Sequence, residues 1–240
     1  MTRHTVFSTG PLKGAATGLA ALLAFAAFAW AGAQDDCAQK DDRGLRIDAC
    51  TEMINSDEFS SRERAVAHFN RGSARDSLGD IPGAIEDYDA ALRLDPEMGA
   101  AYYNRANAYF SLDDYAKAIK DYDQAVRIDP AAALAHNNRG EAYSLLGDDK
   151  RALEDFSQAL RIDPTYADAY RNRGVVYENM GRFDRAVSDW DQEIQLGGAE
   201  RARWWQEYLT AKGHYSGEID GINSPAVWAA LTACAVDPDC

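Results

Sequence analysis

Arginine recurs at Arg71, Arg105, Arg139 and Arg173, and an aspartate follows each at a constant offset, at Asp87, Asp121, Asp155 and Asp189. Two kinds of chemistry suit that spacing. The pairs can neutralise one another within or between structural units and so fix their register, or the arginines can stand free as anion ligands. Histidine offers less. His68 and His136 fall in the same periodic slot as Tyr102 and Tyr170, which reads as packing. His214 stands alone in sequence, with no histidine or cysteine spacing around it that suggests a metal site. No nucleophile elbow, phosphate loop or Walker motif is present. Asp113-Asp114 and Asp148-Asp149 sit at turns, where capping and solvation account for them. The sequence therefore assigns no catalytic residue, no metal ligand and no cofactor, and a non-enzyme is expected.

Positioning those arginines falls to a repeat. Shifted by 34 residues, the chain matches itself at Asn70-Arg71-Gly72, Asn104-Arg105-Ala106, Asn138-Arg139-Gly140 and Asn172-Arg173-Gly174. Ala84, Ala118, Ala152 and Ala186 hold the same register, as do Tyr88, Tyr122, Phe156 and Trp190. Each unit reads as two helices. Leu78-Gly79-Asp80 and Leu146-Gly147-Asp148 close the first helix and cap the second. Asp95-Pro96, Asp129-Pro130 and Asp163-Pro164 end the second. Small residues at Gly72 or Ala106 and at Ala84 and Ala91 permit close helix approach, with aromatics such as Tyr88 and Tyr109 filling the gaps.

These residues resemble the tetratricopeptide repeat (TPR) over 65–198, in units 65–98, 99–132, 133–166 and 167–198. The resemblance implies an all-α fold: antiparallel helix pairs stacked in a right-handed TPR superhelix, with the first helices lining a concave, peptide-binding face. Arginine at the four positions named above departs from the leucine usual in that family. Carried over slot by slot, the face is made by Phe69, Ser73 and Asp76, then Tyr103, Asn107 and Phe110, then Asn137, Glu141 and Ser144, then Arg171, Val175 and Glu178. Asn70, Asn104, Asn138 and Asn172 line its edge, placed to hydrogen-bond an extended peptide backbone. The resemblance thus implies a scaffold or adaptor for a peptide or protein.

The termini read differently. Arg3, His4 and Lys13 precede an apolar run from Ala15 to Trp30 that exits through Ala31-Gly32-Ala33. That is the layout of a secretory signal over 1–33, with a retained membrane anchor as the alternative. Cleavage would place the protein in the periplasm or outside the cell. Removing 1–33 takes away Arg3 and Lys13 and no acid, moving the formal net charge from -14 to -16. Such an acidic chain repels nucleic acid and anionic membranes, so the expected partner is a basic or neutral peptide or protein. A groove occupied by the protein's own N-terminal segment is the other reading.

A solenoid needs caps at both ends. Residues 34–64 read as a shortened helix pair, with Leu45, Ile47, Met53 and Ile54 as its apolar contacts. Stacked helices about 8–10 Å apart hold the two chain ends far apart, while a disulfide needs Cα atoms within about 7 Å. The expected pairs are therefore local, Cys37–Cys50 and Cys234–Cys240. At the other end Glu193 replaces the small residue of Ala91, Ala125 and Ala159, and Gly197-Gly198 replaces Asp-Pro. Helix 199–211 follows with Trp204, Trp205, Tyr208 and Leu209. Beyond it, Gln206, Leu209, Gly213, Tyr215, Gly217, Ile219, Asp220, Gly221, Pro225, Ala229, Ala230 and Leu231 resemble the skeleton of a peptidoglycan-binding domain. Ile219 and Ile222 are expected to plug between helices, with Ser224 as an N-cap. Residues 199–240 are thus a cap alone or one that also binds the wall through 204–231, whose contacts would be Tyr215, Asp220, Asn223 and Trp228.

Overall fold

The computed structural model describes residues 32–39, 41–237 and 239–240. The apolar run of 15–30 lies outside the described residues. All regular structure among them is helical. A short helix at 32–38 (α1) is followed by α2 (Arg43–Asn55), α3 (Ser61–Ser77), α4 (Ile81–Leu94), α5 (Gly99–Ser111) and α6 (Tyr115–Ile128). Then come α7 (Ala133–Leu145), α8 (Asp149–Ile162), α9 (Ala167–Asn179), α10 (Phe183–Ala211) and α11 (Pro225–Ala235). The chain divides into two compact units, one ending at Asp95 and the other running Pro96–Cys240.

The helix boundaries follow from a few side chains. Ser60 and Glu63 form a capping box at the start of α3, each satisfying the other's backbone donor. Asp80, Asp114 and Asp148 cap α4, α6 and α8, accepting from Gly83, Lys117 and Arg151 N–H. The turns before two of these caps use glycine at positive φ, Gly79 (84°) and Gly147 (77°). Asp113 does the same work at 58°, a conformation that aspartate tolerates better than most residues.

Packing repeats as the helices do. Ala84, Ala118, Ala152 and Ala186 are fully buried. Tyr88, Tyr122, Phe156 and Trp190 lie beside the small residue of the preceding helix, so closely that a Cβ on Gly174 would fall 2.5 Å from Trp190 Nε1. In the first unit, Cys37, Ala49, Cys50, Met53, Phe59 and Ala67 form one cluster, and Cys37 is bonded to Cys50. Leu45, expected among the apolar contacts here, is instead 45 % exposed, because α2 turns Arg46, Ala49, Cys50 and Met53 inward.

The end of the second unit is a separate cluster of Trp190, Ile194, Trp205, Leu209, Val227 and Leu231. α10 breaks at Gly198 (φ 61°, ψ -153°), a backbone state open almost only to glycine. The break folds Trp205 back onto Trp190, with ring centroids 5.4 Å apart. Buried Glu193 accepts the Trp205 indole N–H at 3.1 Å and lies 3.3 Å from Arg201 Nε. Burial pushes its carboxyl above the usual range, against the pull of that indole and of Arg201. Ile219 and Ile222 do not plug the helices; both are exposed. Fully buried Gln206 takes the interior place instead. Its Nε2 donates to Asp220 Oδ1 (2.8 Å) and to the Ile222 carbonyl (3.2 Å), and its Oε1 accepts from Gly221 N–H (2.9 Å). A polar loop centred on one glutamine has no interior room for two isoleucines.

Candidate binding face of the first helices

The four arginines are all committed. Arg71 reaches Asp87 through Nε (2.9 Å) and Nη2 (2.7 Å), and Arg105 does the same to Asp121 at 2.7 Å through each. Arg139 forks onto Asp155 (2.8 and 2.6 Å) and Arg173 onto Asp189 (2.7 Å through each). Third contacts run to the preceding helix pair: Arg71 to Thr51, Arg139 to Asp123 at 2.7 Å, Arg173 to Ser157 at 3.2 Å. The guanidiniums of Arg71, Arg139 and Arg173 therefore each tie their own helix pair to the one before it.

His68 and His136 do more than pack, since their Nδ1 atoms stand 3.0 and 3.2 Å from Asp87 and Asp155. Burial alone would raise both carboxyls. The histidine and arginine bonds outweigh it, and both are held below the ordinary carboxylate range. These arginines are structural ion pairs with no fork left for an anion.

The first helices of the second unit share one face. Asn138 Nδ2 on α7 donates to Tyr103 Oη and to Asn107 Oδ1 on α5, at 3.1 Å each. Tyr122 Oη donates to the same Asn107 oxygen at 2.5 Å. Asn172 on α9 donates to Asn137 Oδ1 at 3.2 Å, and Asn137 to Asn138 at 3.2 Å. Asn138 and Asn172, two of the asparagines expected along the edge, are thus used between helices. Asn137, predicted on the face itself, is buried. In the first unit Asn70 Oδ1 likewise accepts from Arg46, at 3.1 Å.

What remains accessible is aromatic and acidic. Tyr103, Asn104, Phe110, Glu141, Ser144, Arg171 and Glu178 are half-buried, and Val175 is 42 % exposed. Phe69, Ser73 and Asp76 are half-buried on α3 of the first unit. Burial raises the carboxyls of Asp76, Glu141 and Glu178. For Asp76 and Glu178 burial is the whole cause, while nearby Arg171 partly offsets it at Glu141. Beside this face Gly99, Tyr103, Ala125, Ile128, Leu134 and Ala135 line an apolar notch of about 410 Å³.

The family model for the TPR repeat matches residues 72–113, 106–147 and 145–181. These are TPR repeats. Among solved structures, a crystal structure of the MamA protein superposes with a TM-score of 0.63 at 22% identity, over 80% of this chain and 97% of its own. A MamA fragment from Desulfovibrio magneticus RS-1 gives 0.64 at 19%, over 71% of this chain and 94% of its own. YrrB, described as a TPR protein with an unusual peptide-binding site, gives 0.58 at 20%, over 79% and 93%. At these identities the likeness is one of fold. No curated protein sequence matches the chain.

The four C-terminal residues read as wall contacts separate into two kinds. Buried Tyr215 donates its Oη to the Glu218 carbonyl (3.0 Å), and Asp220 accepts from Gln206 and from Ile222 N–H. Both serve the loop itself. Trp228 is 48 % exposed, and Asn223 donates to Asp191 Oδ1 at 2.7 Å. These two share a cavity of about 510 Å³ with Gln195 and Ser224.

Proposed function

We propose that this protein is a non-catalytic TPR adaptor that binds a basic or neutral peptide on the first-helix face of its repeats. The observation that carries this reading is the composition of that face. Tyr103 and Phe110 offer apolar contact, while Glu141 and Glu178 are carboxylates already stripped of part of their water. A lysine or arginine arriving there meets partly desolvated negative charge and compensates the further burial of those acids, which favours it over an acidic residue. The net charge of -14 adds long-range attraction for the same partners at low salt. Within this reading 1–33 is a secretory signal, supported by its basic start, apolar run and small-residue exit, and by the two disulfides of the chain. Among the described residues no helix is long and apolar enough to cross a membrane.

Fluorescence titration with short peptides of matched length and opposite charge tests the proposal. Basic peptides should bind in preference to acidic ones, and Glu141→Lys with Glu178→Lys should reverse that order. Preference for acidic peptides by the unaltered protein would overturn it.

A second reading concerns the other end of the chain. The cavity around Trp228 pairs an exposed indole with the carboxamides of Gln195 and Asn223, a combination that suits a neutral sugar ring and its hydroxyl or acetamido groups. Co-sedimentation with purified sacculi tests whether the protein also holds peptidoglycan there. Pelleting that is lost in Trp228→Ala supports it; pelleting unaffected by that change, or none, refutes it.

A further inference from the structure

His214 meets a local cysteine pair from further along the chain at the end of the second unit. One ligand-type atom from each of His214, Cys234 and Cys240 lies within 4.8 Å of the other two. His214 is in the turn after α10, Cys234 near the end of α11, and Cys240 in the tail beyond it. The imidazole Nε2 stands 2.9 Å from Asp237 Oδ2. Here the two sulfurs are joined as a disulfide.

The tail is held by contacts that involve no sulfur. Tyr208 Oη donates to the Cys240 carbonyl, and Lys212 Nζ donates to the Asp239 carbonyl at 2.7 Å. Asp237 N–H donates to the Cys234 carbonyl, and Cys240 N–H to that of Asp237, both at 3.0 Å. Asp239 N–H donates to Asp237 Oδ1 at 3.0 Å. Opening the disulfide therefore leaves two thiols still facing the imidazole.

We propose that the reduced tail is a site for a borderline divalent cation, Zn²⁺ first among them, bound by the thiolates of Cys234 and Cys240 and the imidazole of His214. Tetrahedral zinc with Zn–S about 2.3 Å and Zn–N about 2.0 Å needs its ligand atoms roughly 3.5–4 Å apart. From the disulfide the two sulfurs must part to that spacing, while the imidazole, already within 4.8 Å of them, closes in. With Asp237 on Nε2, the donor this proposal assigns to the metal is Nδ1, in the carboxylate–histidine–metal arrangement that fixes ring orientation. Three protein ligands leave a fourth position for water. Thiolate and imidazole together favour Zn²⁺ over Mg²⁺ or Ca²⁺, which take oxygen ligands.

Disulfide and metal exclude each other. A dithiol reductant transfers two electrons and two protons to the Cys234–Cys240 bond, giving two thiols and its own disulfide. Zn²⁺ then displaces up to two thiol protons. Reoxidation removes both sulfur ligands and releases the ion. The Cys37–Cys50 pair is an internal control, because no comparable group of three includes it among the described residues.

The test uses the full chain, oxidised or reduced with a dithiol and freed of reductant without air. Zn²⁺ is titrated against a chromogenic chelator, with Co²⁺ as the spectroscopic probe of thiolate ligation. The reduced protein should take up one equivalent and the oxidised protein none at this site. Cys234→Ser with Cys240→Ser should abolish that uptake, His214→Ala should weaken it at least tenfold, and Cys37→Ser with Cys50→Ser should retain it. His214→Ala keeps both cysteines, so its helicity can be matched to the parent by circular dichroism. No uptake by the reduced parent, or uptake that survives loss of Cys234 and Cys240, overturns the proposal.

Discussion

A guanidinium that forks onto a buried carboxylate is a poor place to gain stability and a costly place to lose a partner. Removing one member strands the other in low dielectric, a loss of about 3–5 kcal/mol where the pair is well buried. Arg139→Leu leaves Asp155, which is 5 % exposed, facing His136 alone. We expect urea unfolding to show a loss of about 3 kcal/mol, toward the low end because His136 still bonds the carboxylate. Arg139→Leu with Asp155→Leu should recover much of it. A single variant as stable as the parent would contradict the pairing. The pH dependence has a definite sign. Asp87 and Asp155 titrate lower in the folded protein than in the unfolded chain, so their contribution is present above the ordinary aspartate value of about 3.9. It is lost as pH falls through the lower, folded range. Acid unfolding should therefore move to higher pH when Arg71 or Arg139 is replaced. This pairing was legible in the sequence because one offset recurs in every repeat. The asparagine bridges were not, since Asn138 meets Tyr103 and Asn107 only once helices of different repeats are stacked.

At the scale of elements, the same lesson holds for the C-terminal loop. Its glycines, proline and flanking helices could be read from residue types, but its interior could not. An isoleucine pair next to Asp-Gly looks like a plug, yet Gln206 satisfies the loop's backbone and the isoleucines face out. Gln206→Leu is close in volume and removes the donor to Asp220 and the acceptor from Gly221. Leaving such groups unpaired costs about 1–3 kcal/mol each. Limited proteolysis between Gly213 and Pro225 should accelerate in that variant while cleavage within α5–α8 stays at the parent rate. Equal rates at both places would mean that the loop does not depend on Gln206. His214 shows the opposite limit of sequence reading. Nothing near it in the chain suggests a partner, because Cys234 and Cys240 reach it only after α11 turns back.

For the whole molecule, the acidic face and the acidic composition make one joint prediction about binding and pH. Burial raises Glu141 and Glu178, so in the free protein each holds its proton to a higher pH than an exposed carboxyl would. A cationic side chain on the face favours the ionised form and pulls those values back down. Linkage then requires protons to be released on binding wherever the free carboxyls are still partly protonated. Affinity for a basic peptide should accordingly rise with pH across the range just above ordinary carboxylate values and level off once the acids are ionised. An uncharged peptide should lack that dependence or reverse it, because it buries the same carboxylates without neutralising them. Salt separates this local effect from general attraction. The field of the acidic chain is screened over about 8 Å at physiological ionic strength, whereas partly buried pairs are screened much less. Isothermal titration at two ionic strengths and several pH values should therefore show a pH slope that outlasts the salt-sensitive part of the affinity. A slope that vanishes at high salt would place the binding on diffuse surface charge rather than on Glu141 and Glu178.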